Sequence, residues 1–280
     1  MVKLFCLEIS PGIPMEEAWS DLEEAGFTIA YSEEESNRVK LFAYADSSNR
    51  FDEYSWVENC SQYQLPEIDW KEQWQMHGMD FRDGCVHVDL NRFGASGTPL
   101  KLQPGPGFGD LSHPTTALAL RLMVRHLHGQ SVIDIGSGSG ILTLAAIALG
   151  SPCAYGLDID AAAIEHARKN AQLNGMAEKC CFIEPGQFKL EPSPDNWLIV
   201  MNMIMSEQRT AWDSLPALHA VSGLIITSGI TKAERESYLE QTHAWGWQLL
   251  EEMEDNGWMA LIHNLYTSGQ SEPNPLPMKF

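Results

Sequence analysis

Residues 131–145, Ser-Val-Ile-Asp-Ile-Gly-Ser-Gly-Ser-Gly-Ile-Leu-Thr-Leu-Ala, carry the densest chemical signal of this chain. An apolar run ends in Asp134, passes through Gly136, Gly138 and Gly140, and continues with helical spacing. Glycines are required where the backbone takes positive φ or a ligand comes close, and amides at a helix start present donors to a polar group. The spacing is G-x-G-x-G, with Ile at 141, and not the G-x-G-x-x-G of dinucleotide folds. No Gly-Lys-Ser/Thr follows, so a phosphate cradle is not indicated. Asp134 could receive an ammonium group, directly or through water. Gly156-Leu-Asp-Ile-Asp160 ends a second apolar run and sets Asp158 22 residues after Gly136. A carboxylate there can accept both ribose hydroxyls. An amino-acid-bearing nucleoside without phosphate fits these features, and S-adenosylmethionine is one. The plain alternative is a tight strand-to-helix turn that binds nothing.

Met201-Asn-Met-Ile204 follows a further apolar run. Asn202 is thereby placed at a strand's carboxyl end, facing the crevice where open α/β sheets bind ligands. Methyltransferases of planar nitrogens typically read Asn-Pro-Pro-Tyr here. This chain keeps the Asn and lacks the prolines and the aromatic residue, which argues for a flexible amine. Asn202 would position the amine or the cofactor through its carbonyl; a plain loop Asn is the other reading. A lysine amine, with pKa near ~10.4, must lose a proton before attack. No residue announces itself as the base, so desolvation and alignment of the lone pair are expected to carry catalysis. His113 could assist proton removal or bond the loop backbone. His126-Leu-His128 lies near a helix end and reads as a charge pair with that end or as a ligand site. Trp70, Trp74 and Trp258 could wall an alkylammonium or simply pack.

These residues need a scaffold. From about residue 114 helical segments (115–126, 141–149, 161–174, 207–218, 232–245) alternate with strands (131–135, 154–159, 180–183, 197–201, 224–228). Residues 246–254 and 258–265 read as a closing antiparallel hairpin. Such alternation predicts a mostly parallel, doubly wound sheet. Upstream, strand 2–9, helix 15–25 and strands 27–32 and 38–45, joined by the charged turn 33–37, form a small module. Residues 46–80 are polar and aromatic with little period and read as a linker; 86–90 reads as another strand. The expected domains are a small α+β domain over 1–60, a linker and start of the core over 61–100, a cofactor-binding catalytic domain over 101–266, and a flexible tail over 267–280.

Lys and Arg number 18 against 38 Asp and Glu, a net charge of −20. Such a chain repels phosphate backbones and anionic lipids, so nucleic acid and membrane are disfavoured and a basic partner is favoured. An acidic surface serving only solubility is the alternative. None of the six cysteines forms C-x-x-C, and no His-Cys cluster has zinc spacing, so no metal is expected. Reduced thiols, no signal peptide and no run approaching ~20 apolar residues point to a cytoplasmic protein. A monomer is expected.

Gln103-Pro-Gly-Pro-Gly-Phe-Gly-Asp-Leu-Ser-His-Pro-Thr-Thr116, followed by the glycine turn, Asp158 and Met201-Asn202, resembles the methyltransferases of ribosomal protein L-eleven. That family typically reads Asp-Pro-Gly-x-Ala-Phe-Gly-Thr-Gly-x-His-x-Thr-Thr before the same turn. Trp70-Lys-Glu-Gln-Trp74, Ser228-Gly-Ile230 and Gly257-Trp258 agree as well, so the likeness spans about residues 68–265. It implies a Rossmann-like, doubly wound class I methyltransferase sheet with a small N-terminal α+β domain that docks the substrate. It also implies S-adenosylmethionine contacts from Thr116, Gly136, Asp158 and Asn202, with Phe108 and Gly109 nearby; Gly138 and Asp134 complete the expected site. The implied activity is methylation of lysine and N-terminal amines of a basic, large-subunit ribosomal protein. A methyltransferase of another protein or small amine, and a non-catalytic cofactor-binding module, stay open. Gln103 replaces the family's Asp, Asp110-Leu111 replaces Thr-Gly, and the N-terminal module is short.

Overall fold

Alternation of apolar residues builds the first unit, Met1–Ile68, of the computed structural model, which describes residues 3–35, 38–63, 69–78, 80–109, 111–190 and 197–265. Strand β1 (Lys3–Ile9), helix α1 (Met15–Glu24), β2 (Thr28–Glu35), β3 (Arg38–Ala45) and β4 (Val57–Gln62) form an antiparallel sheet of order β2-β3-β1-β4 with one helix. Phe5, Leu7 and Ile9 of β1 share a core with Ala18 and Leu22 of α1, while Leu4 and Cys6 point the other way, towards Phe42. The Trp56 indole N–H donates to Asp21 at 2.8 Å, tying α1 to the segment before β4.

Two expectations change in this unit. Glu33–Glu35 belong to β2 and not to a turn, because the register sets Glu33 opposite Lys40, a favourable cross-strand pairing of charge. Val57–Gln62, read as having no period, is the fourth strand. It lies at the sheet edge with Glu58, Asn59, Ser61 and Gln62 exposed, so no apolar alternation marks it. The 36–37 turn, Asp110 and the 267–280 tail lie outside the described residues.

The second unit, Asp69–Phe280, opens with α2 (Trp70–His77), whose first turn is capped by Asp69 accepting from the Glu72 amide at 3.0 Å. Strands β5 (Phe81–Arg82), β6 (Cys85–Val88) and β7 (Leu100–Leu102) form a small antiparallel sheet. Then come α3 (Pro114–His126), β8 (Ser131–Ile135), α4 (Ile141–Ala148), β9 (Ala154–Leu157), α5 (Ala161–Leu173), β10 (Cys180–Ile183) and β11 (Trp197–Asn202). The chain continues through α6 (Met205–Ser214), β12 (Gly223–Thr231), α7 (Arg235–Ala244), β13 (Gln248–Asp255) and β14 (Trp258–Leu265). The large sheet has the order β10-β9-β8-β11-β12-β14-β13. Its first five strands are parallel, and β14 runs antiparallel to both β12 and β13.

Central strands covered on both faces need side chains that are apolar on both. Val132, Ile133, Leu198, Ile199 and Val200 are all fully buried, which is why they read as continuous apolar runs. The chain winds outward from β8 through β9 to β10, then returns to place β11 on the other side of β8. That reversal opens a crevice at the carboxyl ends of β8 and β11.

One buried polar side chain holds the far wall of this crevice. Gln208 of α6 donates to the Met203 carbonyl at 2.7 Å and the Ser228 carbonyl at 3.0 Å, and its amide oxygen accepts from the Tyr238 hydroxyl at 2.6 Å. Gln208 and Tyr238 are both fully buried, so every group left without its partner would pay desolvation. Gln208→Leu should therefore lower stability by about 2–4 kcal/mol. Denaturant unfolding checks this as a lower midpoint at unchanged slope.

Candidate functional site

Strand β8 delivers Asp134 and then the glycine turn to the open crevice. Gly136 and Ser137 amides donate to the Leu157 carbonyl at 2.7 and 3.0 Å, which stitches the turn to the end of β9. The next amide, on Gly138, donates to Asp158 Oδ2 at 2.9 Å; Asp158 Oδ1 accepts from the Asp160 amide at 3.0 Å. Each carboxylate oxygen keeps a second lone pair, and the side chain is half-buried. Beside it Ile159 is 89% exposed, an apolar surface that sequence reasoning missed.

A segment upstream of α3 lies on the turn. The Ser139 amide donates to the Phe108 carbonyl at 2.8 Å, and a Cβ on Gly107 would stand 2.4 Å from the Gly138 carbonyl carbon. Glycine is therefore required at 107, so that two backbones can touch. The segment is held from behind by α5. Gly107 donates to His166 Nδ1 at 3.1 Å, His166 Nε2 donates to the Gln103 carbonyl at 2.7 Å, and the Gln103 amide donates to Asn170 Oδ1 at 2.9 Å. Asn170 Nδ2 donates to the Ser139 carbonyl at 2.9 Å, and Asn174 makes two bonds with the Lys101 backbone, at 2.9 and 2.7 Å. Sequence reasoning missed these three residues, although polar side chains at 166, 170 and 174 on one helix face were a legible signal. Gln103 joins the clamp through its backbone amide and carbonyl, groups that the family's Asp also has. Leu111, which replaces the family's Gly, keeps left-handed backbone (φ 67°), a cost of about 1–2 kcal/mol. Burial of its side chain in the core offsets that cost.

The opposite side of the crevice holds Asn202, the last residue of β11. Its Nδ2 donates to Thr116 Oγ1 at 3.1 Å in the first turn of α3, while its Oδ1 is buried without a partner among the described residues. Thr116 is fully buried. His113 caps α3, its Nδ1 accepting from the Thr115 amide at 3.4 Å and lying 2.9 Å from the Thr115 hydroxyl. Of its two readings, bonding to the backbone is the observed one. Its ring lies edge-on between Phe108 (5.9 Å), which is 54% exposed, and Trp258 (4.7 Å). The three expected tryptophans divide: Trp258 joins this aromatic strip, Trp74 packs edge-on against His166 at 5.5 Å, and Trp70 packs against the core. His126 stands in the last turn of α3, where it was expected, and also bonds Glu251 of β13 at 2.8 Å.

Asp134 is 1% exposed. Oδ2 accepts from the Thr143 amide at 3.0 Å and the Thr143 hydroxyl at 2.7 Å, while Oδ1 is buried with no partner among the described residues. Burial pushes its pKa up to about 7, opposed by the two Thr143 hydrogen bonds and reinforced by the negative charge of Asp158.

A glycine turn after the first strand of a doubly wound sheet, an acid ending the second and an antiparallel closing hairpin define a class I methyltransferase fold. The ribosomal protein L11 methylase from Lactobacillus delbrueckii subsp. bulgaricus, a solved structure, is similar over 63% of this chain and 97% of that one, with TM-score 0.51 and 26% identity. Residues 12–265 match the model of the ribosomal protein L11 methyltransferase (PrmA) family, and the chain belongs to that family. A ribosomal protein L11 methyltransferase of Macrococcus caseolyticus is 30% identical over 208 residues, 72% of this chain and 67% of that protein. One from Chromobacterium violaceum is 30% identical over 258 residues, 90% of this chain and 81% of the other. Against one from Hahella chejuensis, 35% identical, the chain spans 61% of the relative's length.

The raised pKa of Asp134 has a testable sign. Its folded value of about 7 exceeds the ordinary 3.8, so folding takes up a proton between these values and the ionised carboxylate costs stability as pH rises. Asp134→Asn should therefore be more stable than the parent at about pH 8, on the order of 2–4 kcal/mol, with the gap closing towards about pH 4. Denaturant midpoints across this range measure it; a gap independent of pH would contradict the assignment.

Proposed function

We propose that this chain transfers methyl groups from S-adenosylmethionine to lysine and N-terminal amines of ribosomal protein L11. The observation that carries the reading is the Asn202 carboxamide. Its Nδ2 is fixed by Thr116, and its buried, unpartnered Oδ1 needs a donor at the carboxyl end of β11. A cofactor or substrate amine supplies such a donor.

The residues fit the cofactor. Asp158 keeps acceptor capacity for ribose hydroxyls, the exposed Ile159 offers an apolar face to a base, and Asp134 holds a spare carboxylate oxygen for an ammonium group or a water. Gly136 and Gly138 hold the positive φ that shapes the turn, with Phe108 and Gly109 beside it. Bound there, S-adenosylmethionine supplies an electrophilic methyl group on a sulfonium sulfur. The chain contributes alignment: Asn202 Oδ1 accepts an amine N–H and directs the nitrogen lone pair, while Phe108, His113 and Trp258 line the acceptor's apolar stem. The amine proton leaves to solvent. A basic protein suits the charge distribution, since residues 1–68 carry 14 Asp and Glu against 4 Lys and Arg. This first unit is the proposed docking module.

Transfer of labelled methyl to purified ribosomal protein L11 tests the reading. Asn202→Ala should lower kcat/KM about 10–100-fold, and Asp158→Ala should weaken cofactor binding by about 1.5–3 kcal/mol, as for hydrogen bonds involving charged groups. Labelling of small amines but not of L11 would overturn the substrate. Calorimetric binding with no transfer to any amine would make the chain a cofactor-binding module.

A further inference from the structure

The clamp on α5 has a property that none of its partners requires. A neutral imidazole carries one N–H donor and one bare acceptor. Both are committed here in one arrangement: Nδ1 accepts from the Gly107 amide at 3.1 Å, so the proton sits on Nε2 and is donated to the Gln103 carbonyl at 2.7 Å. The ring is 3% exposed, with the segment lying flat on it, since a Cβ on Gly105 would stand 2.5 Å from His166 Cδ2. The Trp74 ring of α2 packs edge-to-face with it, the ring centroids 5.5 Å apart. A doubly protonated ring would set an N–H against the Gly107 N–H, donor facing donor, in a place buried from bulk solvent.

We infer that His166 is a proton-sensitive positioning residue, whose neutral ring holds the Gln103–Gly107 segment on the glycine turn and whose protonation releases it and weakens cofactor capture. The link from ring to site is short. Gly107 abuts the Gly138 backbone, the Phe108 carbonyl receives the Ser139 amide at 2.8 Å, and the Gly138 amide is the one that Asp158 holds. Asn170 spans both parts, bonding the Gln103 amide and the Ser139 carbonyl, so turn and segment are registered against the same helix.

Burial, the largest influence, holds the His166 pKa below its ordinary 6.5; the Gln103 carbonyl on Nε2 opposes this, and the Lys169 cation adds to it. Trp74 and the glycine segment bring no charge to the ring. With the folded value depressed, the clamp's contribution is complete above about pH 6.5 and is lost as pH falls through the folded value.

The inference rests on the cofactor reading of the turn, so the test has an arm independent of it. Amide hydrogen exchange in the full chain, corrected for intrinsic rates, should show Gly107 protected at about pH 7.5 and losing at least about three-fold of that protection at about pH 5.5. In His166→Gln, a neutral side chain with both a donor and an acceptor, the loss should disappear. The second arm measures S-adenosylhomocysteine affinity. Asp134 titrates in the same range, so the difference between parent and variant is what counts. The parent should lose about three- to ten-fold more affinity than His166→Gln over this interval, and His166→Ala should bind weakly throughout. Equal protection of Gly107 at both pH values, or parallel affinity profiles for parent and His166→Gln, would overturn the inference. Absence of binding at every pH would overturn the cofactor reading instead, with Gly107 exchange still deciding the clamp.

Discussion

Two backbones meet without side chains between Gly107 and Gly138, and the site is arranged around that contact. The segment before α3 can bond the glycine turn only because neither residue carries a Cβ. Once it is there, Phe108 stands at the turn's rim, and the chain enters α3 with Thr116 in reach of Asn202. Removing the contact would leave the sheet intact while separating the elements that supply the two sides of the crevice. Helix α5 stabilises the arrangement from below, and the Gln208–Tyr238 pair fixes the ends of β11 and β12.

What the sequence made legible follows from how each element buries itself. Strands β8 and β11, apolar on both faces, stand out from a single chain, as do the alternating helices. The glycine turn, Asp158 and Asn202 sit at element ends, where local punctuation marks them, and they converge on one crevice. Strand β4 escaped because an edge strand with polar residues carries no alternating signal. His166, Asn170 and Gln208 escaped for a different reason. His166 and Asn170 bond backbone groups 31 to 67 residues away in sequence, and Gln208 bonds the Ser228 carbonyl 20 residues away, so only the folded chain brings these bare carbonyls and amides to them.

In the second unit the acids of β13 are met by cations from neighbouring elements. Asp255 pairs with Arg121 at 3.4 Å, Glu251 with Arg125 and His126, Glu254 with Lys232 at 2.8 Å, and Glu252 with Arg235 at 2.9 Å. Exposed pairs of this kind each contribute little to stability. Their effect is to cancel the local field over that part of the sheet.

Among the described residues the same strand ends the large sheet, and an eight-residue edge strand is an open invitation for another polypeptide to add itself. Exposed and half-buried residues alternate along β13, and four of its last five positions are acidic. A second copy aligning there would have to set this row of charged side chains against its own counterpart. The ion pairs that add so little to folding thus act as a guard against templated aggregation, a selective value that an unfolding curve would never register.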